Sequence, residues 1–398
     1  MHTMLLLSLS LLVSVAFSQL ATDCVALPKN ADLLAAGPQS TLPDPFLMFN
    51  GDRVTRKSQW NCRRQELMEI FQRTVYGKVP GPPEALTTRL NGTDLVIDIT
   101  HGEESISFSV NITLPRIGIP PYPAIIAFGG MTIPVPDDVA VIIYKNDEIA
   151  RIASSYNSGK FYTLYGTEFD AGLMAASAWG LSRVIDALEL TPEAAIDARR
   201  LATTGCSRNA RAVLLAGAFD ERLALTISQE AGVGGDACWR IAEWEKQQER
   251  FSICDTQCDE PPDGLGRAFG NFSRDPDSLP VDQHELAGLI APRALLVLQA
   301  EADWLRPRAS FACMVGARRV WDALNVSDHM AVSMAGGHGH CVFPERQRTL
   351  LDAYIRKFLV RSDEPSGDTD LLEGLGDSST RPVNILEWVQ WETPSLED

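Results

Sequence analysis

Short apolar runs alternate with helical patterns through the centre and the C-terminal half of the chain. The runs are typical of strands buried on both faces, and the longer patterns between them are typical of helices. This alternation predicts an α/β fold with a mostly parallel central sheet covered by helices on both sides. The predicted strands are "PAIIAFGG", "VAVIIYK", "RRLATTG", "LALTIS", "RALLVLQA" and "HMAVSMAGG", and the main helices are "LMAASAWGLSRVIDALEL", "ARAVLLAGAF" and "ERQRTLLDAYIRKFL".

A different pattern precedes this region. The stretches "TDLVIDITH" and "SISFSVNITL" alternate apolar and polar residues and are joined by "GEE", which predicts a β-hairpin. Further upstream, "RRQELMEIFQRTVY" predicts a helix over Arg63–Tyr76. An antiparallel hairpin ahead of a parallel sheet favours the three-layer α/β-hydrolase sandwich.

Three segments fall outside the alternation. The first residues run from "MLLLSLSLLV" to small residues at Ala16 and Ser18, so we expect residues 1–18 to be the signal peptide of a secreted protein. We expect residues 19–398 to form a single domain. Residues 239–280 interrupt the strand–helix order and are expected to be an insertion near the site. The acidic, Gly/Ser-rich tail after Val360 is predicted to be loose before "NILEWVQW" packs against the domain.

Charge and cysteine content limit the possible partners. The chain has 35 basic and 52 acidic residues and a net charge of −17, which argues against binding to nucleic acid or to an anionic membrane. We expect a monomer. Eight cysteines in a secreted chain favour disulfides, and Cys254 and Cys258 resemble half of a zinc site without a second half. Asn-X-Ser/Thr sequons fit the secretory route and occur at Asn91, Asn111, Asn271 and Asn325.

A candidate nucleophile lies in "LATTGCSRNARAV". A small apolar run ends at Gly205, Ser207 follows, and a helical pattern begins at once. This is the form of a nucleophile elbow, in which a strand-to-helix turn exposes a serine hydroxyl. The usual motif is G-x-S-x-G, whereas this chain has Asn209 at the last position. The alternative interpretation is a serine that merely caps a helix.

A serine nucleophile needs a base, and "GGHGHC" supplies His338 and His340 just past the last predicted strand. We favour His340, because Cys341 follows it as Cys206 precedes Ser207, and a disulfide between them would tie nucleophile to base. The His-x-His pair could instead be half of a metal site. The remaining histidines are expected to play structural roles or to leave with the signal peptide: His2, His101, His284 and His329.

The residues leave the third member of the site open. Glu301 and Asp303 follow the strand "RALLVLQA", the usual hydrolase position for the acid. Glu230 follows "LALTIS" and could serve equally, since either strand end can reach the second nitrogen of the histidine.

Four motifs together resemble the glucuronoyl esterases of carbohydrate esterase family 15: "GCSRN", "ISQEAGVGGDACWR", "IAPRALLVLQAEADWL" and "GHGHCVFP". The resemblance implies a serine esterase that needs no metal or cofactor and cleaves esters joining 4-O-methyl-glucuronic acid of glucuronoxylan to lignin alcohols. It assigns the acid to Glu230 and an oxyanion contact to Arg208. It also implies the disulfides Cys24–Cys62, Cys206–Cys341 and Cys238–Cys313, which leaves Cys254 to pair with Cys258.

Two sugar contacts follow from the same resemblance. Trp304 corresponds to a tryptophan that lines the uronate pocket, and Arg211 stands where the family usually has lysine. Further family contacts in the insertion have no clear counterpart, because Gln257 and Glu260 do not fall at the expected offset. Two rival hypotheses remain: an esterase for another acid, such as an acetyl xylan esterase, and a hydrolase-like binding protein without turnover.

Overall fold

The computed structural model describes residues 24–34, 37–151, 158–248, 264–362, 367–374 and 383–397. Within them lies one ten-stranded sheet flanked by helices. The strands are β1 Ala85–Asn91, β2 Asp94–His101, β3 Glu104–Thr113, β4 Tyr122–Phe128, β5 Ala140–Tyr144, β6 Ile196–Cys206, β7 Leu223–Gln229, β8 Ala294–Ala300, β9 Met330–Ala335 and β10 Leu372–Glu373. The helices are α1 Lys57–Phe71, α2 Asn146–Ile149, α3 Lys160–Tyr165, α4 Leu173–Leu190, α5 Arg208–Phe219, α6 Trp239–Gln248, α7 Gln283–Gly288, α8 Pro307–Ala323, α9 Arg348–Tyr354 and α10 Ile385–Trp388.

The strands lie in the order β1-β2-β3-β5-β4-β6-β7-β8-β9-β10. The strands from β5 to β10 run parallel to one another, whereas β1, β2 and β3 are antiparallel. The predicted hairpin is β2–β3, which turns between His101 and Glu104. This is the predicted α/β architecture, with an antiparallel region opening a mostly parallel sheet.

Both faces of the parallel strands are covered. A large apolar cluster on one face includes side chains of α1, α4, α5, α7 and α8, and a smaller cluster on the other face includes Leu351 and Tyr354 of α9. Strand β8 is buried along its whole length, as its unbroken apolar run predicts. The sheet is therefore the middle layer of a three-layer sandwich.

Two strands have no counterpart in the sequence prediction. Strand β1 at the sheet edge carries mostly polar side chains, and its burial alternates only between exposed and half-buried positions. Its hydrophobic signal is correspondingly weak. The tail after Val360, which the composition predicts to be loose, contributes β10, and Leu372 pairs with Val332 of β9. Main-chain pairing with a neighbouring strand places both segments in the sheet, and Leu86, Leu90 and Leu371 pack against the apolar clusters.

Helix α1 begins six residues earlier than the sequence predicts. The Gln59 side chain accepts hydrogen bonds from the backbone N–H groups of Thr55 and Arg56 and so satisfies donors that a helix start leaves unpaired. The helix then ends in a π-helical turn over Gln72–Tyr76. The predicted end at Tyr76 is therefore correct, although the last turn is not α-helical.

The first part of the expected insertion is α6, which packs against α8 and is joined to it by the disulfide Cys238–Cys313. Arg240 and Asp282 form a fully buried ion pair that ties α6 to the N-terminus of α7. Residues 249–263 lie outside the described residues. The structure therefore gives no placement for Gln257, Glu260 or the expected pair Cys254–Cys258, nor for the signal peptide at 1–18.

The structure contains the three disulfides that the family resemblance implies, Cys24–Cys62, Cys206–Cys341 and Cys238–Cys313. In the described part of the chain no helix is both long and apolar enough to cross a membrane. The sequon residues Asn91, Asn271 and Asn325 are exposed, whereas Asn111 is half-buried in β3 and its amide donates to Thr93 and Asp94.

Candidate active site

The strand-to-helix turn predicted around Ser207 is present. Strand β6 ends at Cys206 and α5 begins at Arg208, so Ser207 is the single residue between them. Its backbone has φ 60° and ψ −129°, a conformation that is strained for a side chain with a Cβ. The Ser207 N–H donates to the Gln229 carbonyl at 2.9 Å and so holds this turn against the end of β7. The geometry is that of a nucleophile elbow.

Asn209 has a role that the usual glycine of the motif could not fill. Its side-chain amide donates to the Phe128 carbonyl at the end of β4, at 3.2 Å. Its side-chain oxygen accepts a hydrogen bond from Asn146 at 3.0 Å. A Cβ on the neighbouring Gly129 would lie 2.7 Å from the Asn209 amide nitrogen, so a side chain there would break this contact. Asn209 therefore links the elbow to the turn after β4, which is where an oxyanion hole forms in hydrolases of this fold.

Glu230 is the carboxylate that meets the predicted base. Its Oε2 lies 2.6 Å from Nδ1 of His340 and also accepts the backbone N–H of Cys341 at 3.0 Å. The Glu230 side chain is 1% exposed, and that of His340 is 32% exposed. This contact leaves Nε2 as the ring nitrogen available to a substrate or a nucleophile. The two alternatives for the acid, Glu301 and Asp303, make no such contact with His340.

His338 occupies a different position from His340. Its ring nitrogens lie 3.0 Å from the Gly339 carbonyl and 2.8 Å from the Ala335 carbonyl, and its Nδ1 is 3.8 Å from Oε1 of Glu230. Both nitrogens are therefore engaged within the loop after β9. This arrangement supports His340 as the base and His338 as a residue that shapes the loop.

The other described histidines make structural contacts away from this site. His284 is fully buried, its Nε2 contacts the Pro43 carbonyl, and burial lowers its pKa to about 4. His329 contacts the Pro292 carbonyl through Nδ1, and the His101 ring packs against Tyr165.

A disulfide joins the two halves of the site. Cys206 at the end of β6 is bonded to Cys341 in the loop after β9, and their Cα atoms are 5.8 Å apart. Ser207 and His340 each lie one residue from this bond. The sulfur atoms also cluster with Glu230 and His340 in a way that resembles a metal site. Because the two sulfurs are bonded to each other, they cannot bind a metal as thiolates, and only a hydrogen-bonded carboxylate and imidazole remain.

The remaining candidate residues lie around this centre. The Arg208 side chain is 40% exposed, and its Nη2 is 3.9 Å from Oδ1 of Asp147. Trp304, 39% exposed, meets the His340 ring edge to face with centroids 4.7 Å apart. Arg211, by contrast, is only 5% exposed and donates through Nε to the carbonyl of Ala231, next to Glu230. Its guanidinium thus helps to hold the backbone that follows β7.

Asn146 and Gly129 carry no local sequence signal of a role at the site. Neither belongs to a recognisable motif. Gly129 follows β4 and Asn146 follows β5, and both meet Asn209 because β5, β4 and β6 lie side by side in the sheet. The available signal was the departure from G-x-S-x-G at Asn209, which indicated an unusual contact without naming its partners.

Comparison with known proteins identifies relatives along almost the whole chain. A family model for "Glucuronyl esterase, fungi" matches residues 97–325. A 4-O-methyl-glucuronoyl methylesterase of Hypocrea jecorina is 44% identical over 376 residues, which cover 94% of this chain and 79% of the relative. A protein of the same name from Neurospora crassa is 38% identical over 392 residues, covering 97% of this chain and 98% of the relative.

Solved structures give the same result. The catalytic domain of a glucuronoyl esterase from Hypocrea jecorina is 43% identical, with a TM-score of 0.86, and the match covers 93% of this chain and 100% of that one. A serine-to-alanine variant of the Sporotrichum thermophile glucuronoyl esterase, in complex with methyl 4-O-methyl-β-D-glucopyranuronate, is 38% identical with a TM-score of 0.85, covering 90% and 97%. This chain therefore belongs to the glucuronoyl esterases and shares their α/β-hydrolase fold.

Proposed function

We propose that this protein is a serine esterase that cleaves esters between 4-O-methyl-glucuronic acid of glucuronoxylan and lignin alcohols. The observation that carries the proposal is the hydrogen bond between Glu230 and His340 beside the Cys206–Cys341 disulfide, one residue from Ser207. The names of the relatives support the choice of acid, as does the methyl 4-O-methyl-glucuronate bound to the Sporotrichum thermophile enzyme.

In the proposed mechanism, Ser207 attacks the ester carbonyl carbon and His340 accepts the serine proton on Nε2. Glu230 holds the imidazole by its Nδ1–H and stabilises the imidazolium that forms. His340 then passes the proton to the leaving alcohol, which leaves the glucuronoyl group bound to Ser207. Water, activated by the same imidazole, attacks this acyl-enzyme and releases the free acid.

The tetrahedral intermediate places a negative charge on the former carbonyl oxygen. The backbone N–H groups at the start of α5 and in the turn after β4 lie where such an oxyanion forms in this fold. Arg208 adds a cation with several donors at the same place. The Arg208 side chain is 40% exposed, and its ion-pair contact with Asp147 is 3.9 Å long, so its guanidinium can turn towards a bound substrate.

One aromatic residue, Trp304, and one basic residue, Arg211, are proposed to orient the sugar. Trp304 packs against His340 and stays partly exposed, so it offers an apolar wall beside the base. Arg211 lies deeper and supports the strand end through Ala231. We propose that its guanidinium also contacts a hydroxyl of the bound sugar.

We also propose that the protein is secreted, with residues 1–18 removed and residues 19–398 forming one catalytic domain. The disulfides support this, because three such bonds in one chain are typical of proteins that fold in an oxidising compartment.

Hydrolysis of benzyl glucuronate and of acetylated xylan tests the substrate assignment. We expect turnover of the glucuronate ester and little deacetylation; faster deacetylation would contradict the assignment.

Ser207→Ala should abolish both turnover and labelling by a fluorophosphonate. Glu230→Gln should lower kcat by roughly 10³–10⁴, the size of effect seen when the orienting carboxylate of a triad is neutralised.

Matched substitutions test the choice of acid. Glu301→Gln and Asp303→Asn neutralise the carboxylates at the end of the neighbouring strand, and each should leave kcat within a few-fold of the wild type. A larger loss in Asp303→Asn than in Glu230→Gln would move the role of the acid to the usual hydrolase position.

A further inference from the structure

A concave surface lies at the ends of the parallel strands opposite to the candidate active site. It is a groove of about 720 Å³ that includes residues at the starts of β7 and β8, and we call it the basal groove. The active-site residues follow the other ends of β6, β7 and β9. Seven-residue β7 alone spans roughly 20 Å, so a single sugar bound in the groove could not also contact Ser207.

More basic than acidic side chains line the basal groove, although the protein as a whole is strongly acidic. Only two carboxylates line it, Glu189 and Glu221, and both are already engaged: Glu189 with Arg222 at 3.4 Å and Glu221 with Arg64 at 2.6 Å. The net charge of the chain is −17, so a cationic groove departs from the average surface. The cationic side chains that line it are Arg199, Arg222, Arg293, Lys357 and Arg361, with His329 beside them. Two of these cations are neutralised by ion pairs, Arg222 with Asp186, Asp220 and Glu189, and Lys357 with Asp328.

Arg293 is the half-buried cation of this groove. Its guanidinium donates to the carbonyl oxygens of Asp220 and Leu223, both at 3.1 Å. No carboxylate of the described residues forms an ion pair with it. Burial, together with the nearby Arg64 cation, lowers the pKa of Arg293 to about 10. The positive charge is thus incompletely compensated within the protein, and an anion in the groove would compensate it.

Two more cations stand at the rim. Arg361 adopts a left-handed backbone conformation with φ 60°, and its guanidinium donates to the Arg199 carbonyl at 3.4 Å. No carboxylate of the described residues pairs with Arg361. The Arg199 side chain is 88% exposed and contacts Asp197 at 3.3 Å, a carboxylate that it shares with Arg200. Both rim arginines therefore keep donors for a ligand.

The floor of the groove is apolar. Phe358 is half-buried there, with the His329 ring edge to face at 4.8 Å and the Lys357 ammonium 5.0 Å from its ring centroid. Pro292 and three alanines complete this surface: Ala198, Ala224 and Ala294. Such a floor suits the C–H face of a sugar ring, while the rim cations suit carboxylates attached to it.

We propose that the basal groove binds a polysaccharide chain carrying free uronic acid carboxylates, as a docking site separate from the active site. This inference rests on the proposed function, in which the substrate polymer carries uronic acids. Charge complementarity supports it: at least Arg293 and Arg361 lack a carboxylate partner among the described residues, and the floor accommodates uncharged sugar rings between widely spaced anions.

Nucleic acid fits this surface less well. A duplex presents one phosphate charge for about every 1.7 Å of its axis and needs many cations in a row. The basal groove has few uncompensated cations, and the acidic remainder of the protein would repel so dense a polyanion. Sparse carboxylates on a largely neutral chain avoid this repulsion.

The test measures binding of the full chain to glucuronoxylan with free uronic acids and to the same polymer with its carboxyls reduced to alcohols. Ser207→Ala prevents turnover, and saturating methyl 4-O-methyl-glucuronate occupies the active site. At low salt we expect tighter binding to the acidic polymer, and about tenfold weaker binding when Arg199→Gln and Arg361→Gln are combined. Lys29→Gln with Lys78→Gln, exposed lysines that do not line the groove, removes the same charge and should change binding less than twofold.

The outcomes separate this inference from the proposed function. With Ser207 intact, the arginine pair should leave kcat/KM on benzyl glucuronate unchanged while lowering the rate on polymeric substrate. Equal binding to the reduced polymer, equal losses in the lysine control, or equally tight binding of duplex DNA would each overturn the inference. If arginine-dependent binding persists and no glucuronate ester is cleaved, only the proposed function fails.

Discussion

Three of the seven non-glycine residues with positive φ in the described part of the chain lie at the candidate site. Ser207, Glu230 and Cys341 all have positive φ values of 54–61°, although none is glycine. Each such residue costs about 1–3 kcal/mol and persists only where its surroundings hold it. Here the disulfide Cys206–Cys341 and main-chain hydrogen bonds to β7 and β8 supply that support. The strained conformations turn side chains from three strand ends towards one point.

Asn209 gives the first prediction at this scale. Asn209→Ala removes the hydrogen bonds to Phe128 and Asn146, so the turn after β4 is no longer tied to the elbow. We expect kcat to fall about tenfold with KM nearly unchanged, less than the roughly 10²–10³ lost when an oxyanion donor itself is removed. Steady-state kinetics on benzyl glucuronate measures both constants.

The control for this prediction is Asn384→Ala. Asn384 caps α10 by accepting the backbone N–H of Leu386, so its loss should cost about 1 kcal/mol of stability without changing kcat. Asn209→Gly restores the usual G-x-S-x-G pattern but also removes both hydrogen bonds. Full kcat in Asn209→Gly would show that the asparagine contacts are dispensable.

At the scale of elements, helix α6 is attached to α8 through charged as well as apolar contacts. Glu245 of α6 is 2% exposed and lies 3.3 Å from Nε of Arg308 at the start of α8. Burial raises the pKa of Glu245 to about 7, in spite of the neighbouring arginines. The folded protein therefore holds this proton more tightly than the unfolded chain does.

The sign of the resulting pH dependence follows from linkage. Between the unfolded pKa of about 4.5 and the folded value of about 7, the folded state binds more protons, so stability falls as pH rises. From pH 5 to pH 7 this loss amounts to about 2 kcal/mol for one group. Glu245→Gln should remove it, which urea unfolding at the two pH values can measure.

Glu243→Gln is the matched control, because Glu243 is on the same helix but is 33% exposed. It should leave the pH dependence of the wild type in place. Buried Glu285, whose pKa is also raised to about 7 by burial, and His284 act equally in all these proteins and cancel from the comparison. Identical pH slopes for Glu245→Gln and the wild type would refute the assignment.

At the scale of the whole molecule, the disulfides differ in what they hold together. Cys24–Cys62 spans 38 residues near the N-terminus, whereas Cys206–Cys341 spans 135 and connects β6 with the loop after β9. On the chain-entropy model the first contributes about 4 kcal/mol and the second about 5 kcal/mol. Replacing either pair by alanines should therefore lower the free energy of unfolding by similar amounts.

Activity should separate the two pairs. Cys206→Ala with Cys341→Ala is expected to lower kcat strongly at a temperature where the protein remains folded, because Ser207 and His340 lose their link. Cys24→Ala with Cys62→Ala should keep kcat near the wild-type value. Equal kcat values in both double variants would show that the sheet alone holds the site in register.

Much of this arrangement can be predicted from local patterns. Apolar runs predict the parallel strands, because a strand buried on both faces must be hydrophobic throughout. The elbow around Ser207 is likewise a local signal of a strand, a turn and a helix. Strands β1 and β10 escape such prediction because their side chains are exposed or only half-buried, which leaves a weak hydrophobic pattern, while main-chain pairing places them in the sheet.

The sequence by itself determined the α/β fold class, the position of the elbow and, through resemblance, the family. The residues alone left the acid open, and the resemblance assigned it to Glu230. The tertiary structure shows that Glu230, rather than Glu301 or Asp303, contacts His340, that Asn209 reaches the turn after β4, and that basic residues from separate segments meet in the basal groove. These contacts join residues far apart in the chain. They depend on strand order and on the direction in which each strand end turns, and no local pattern of side chains encodes either.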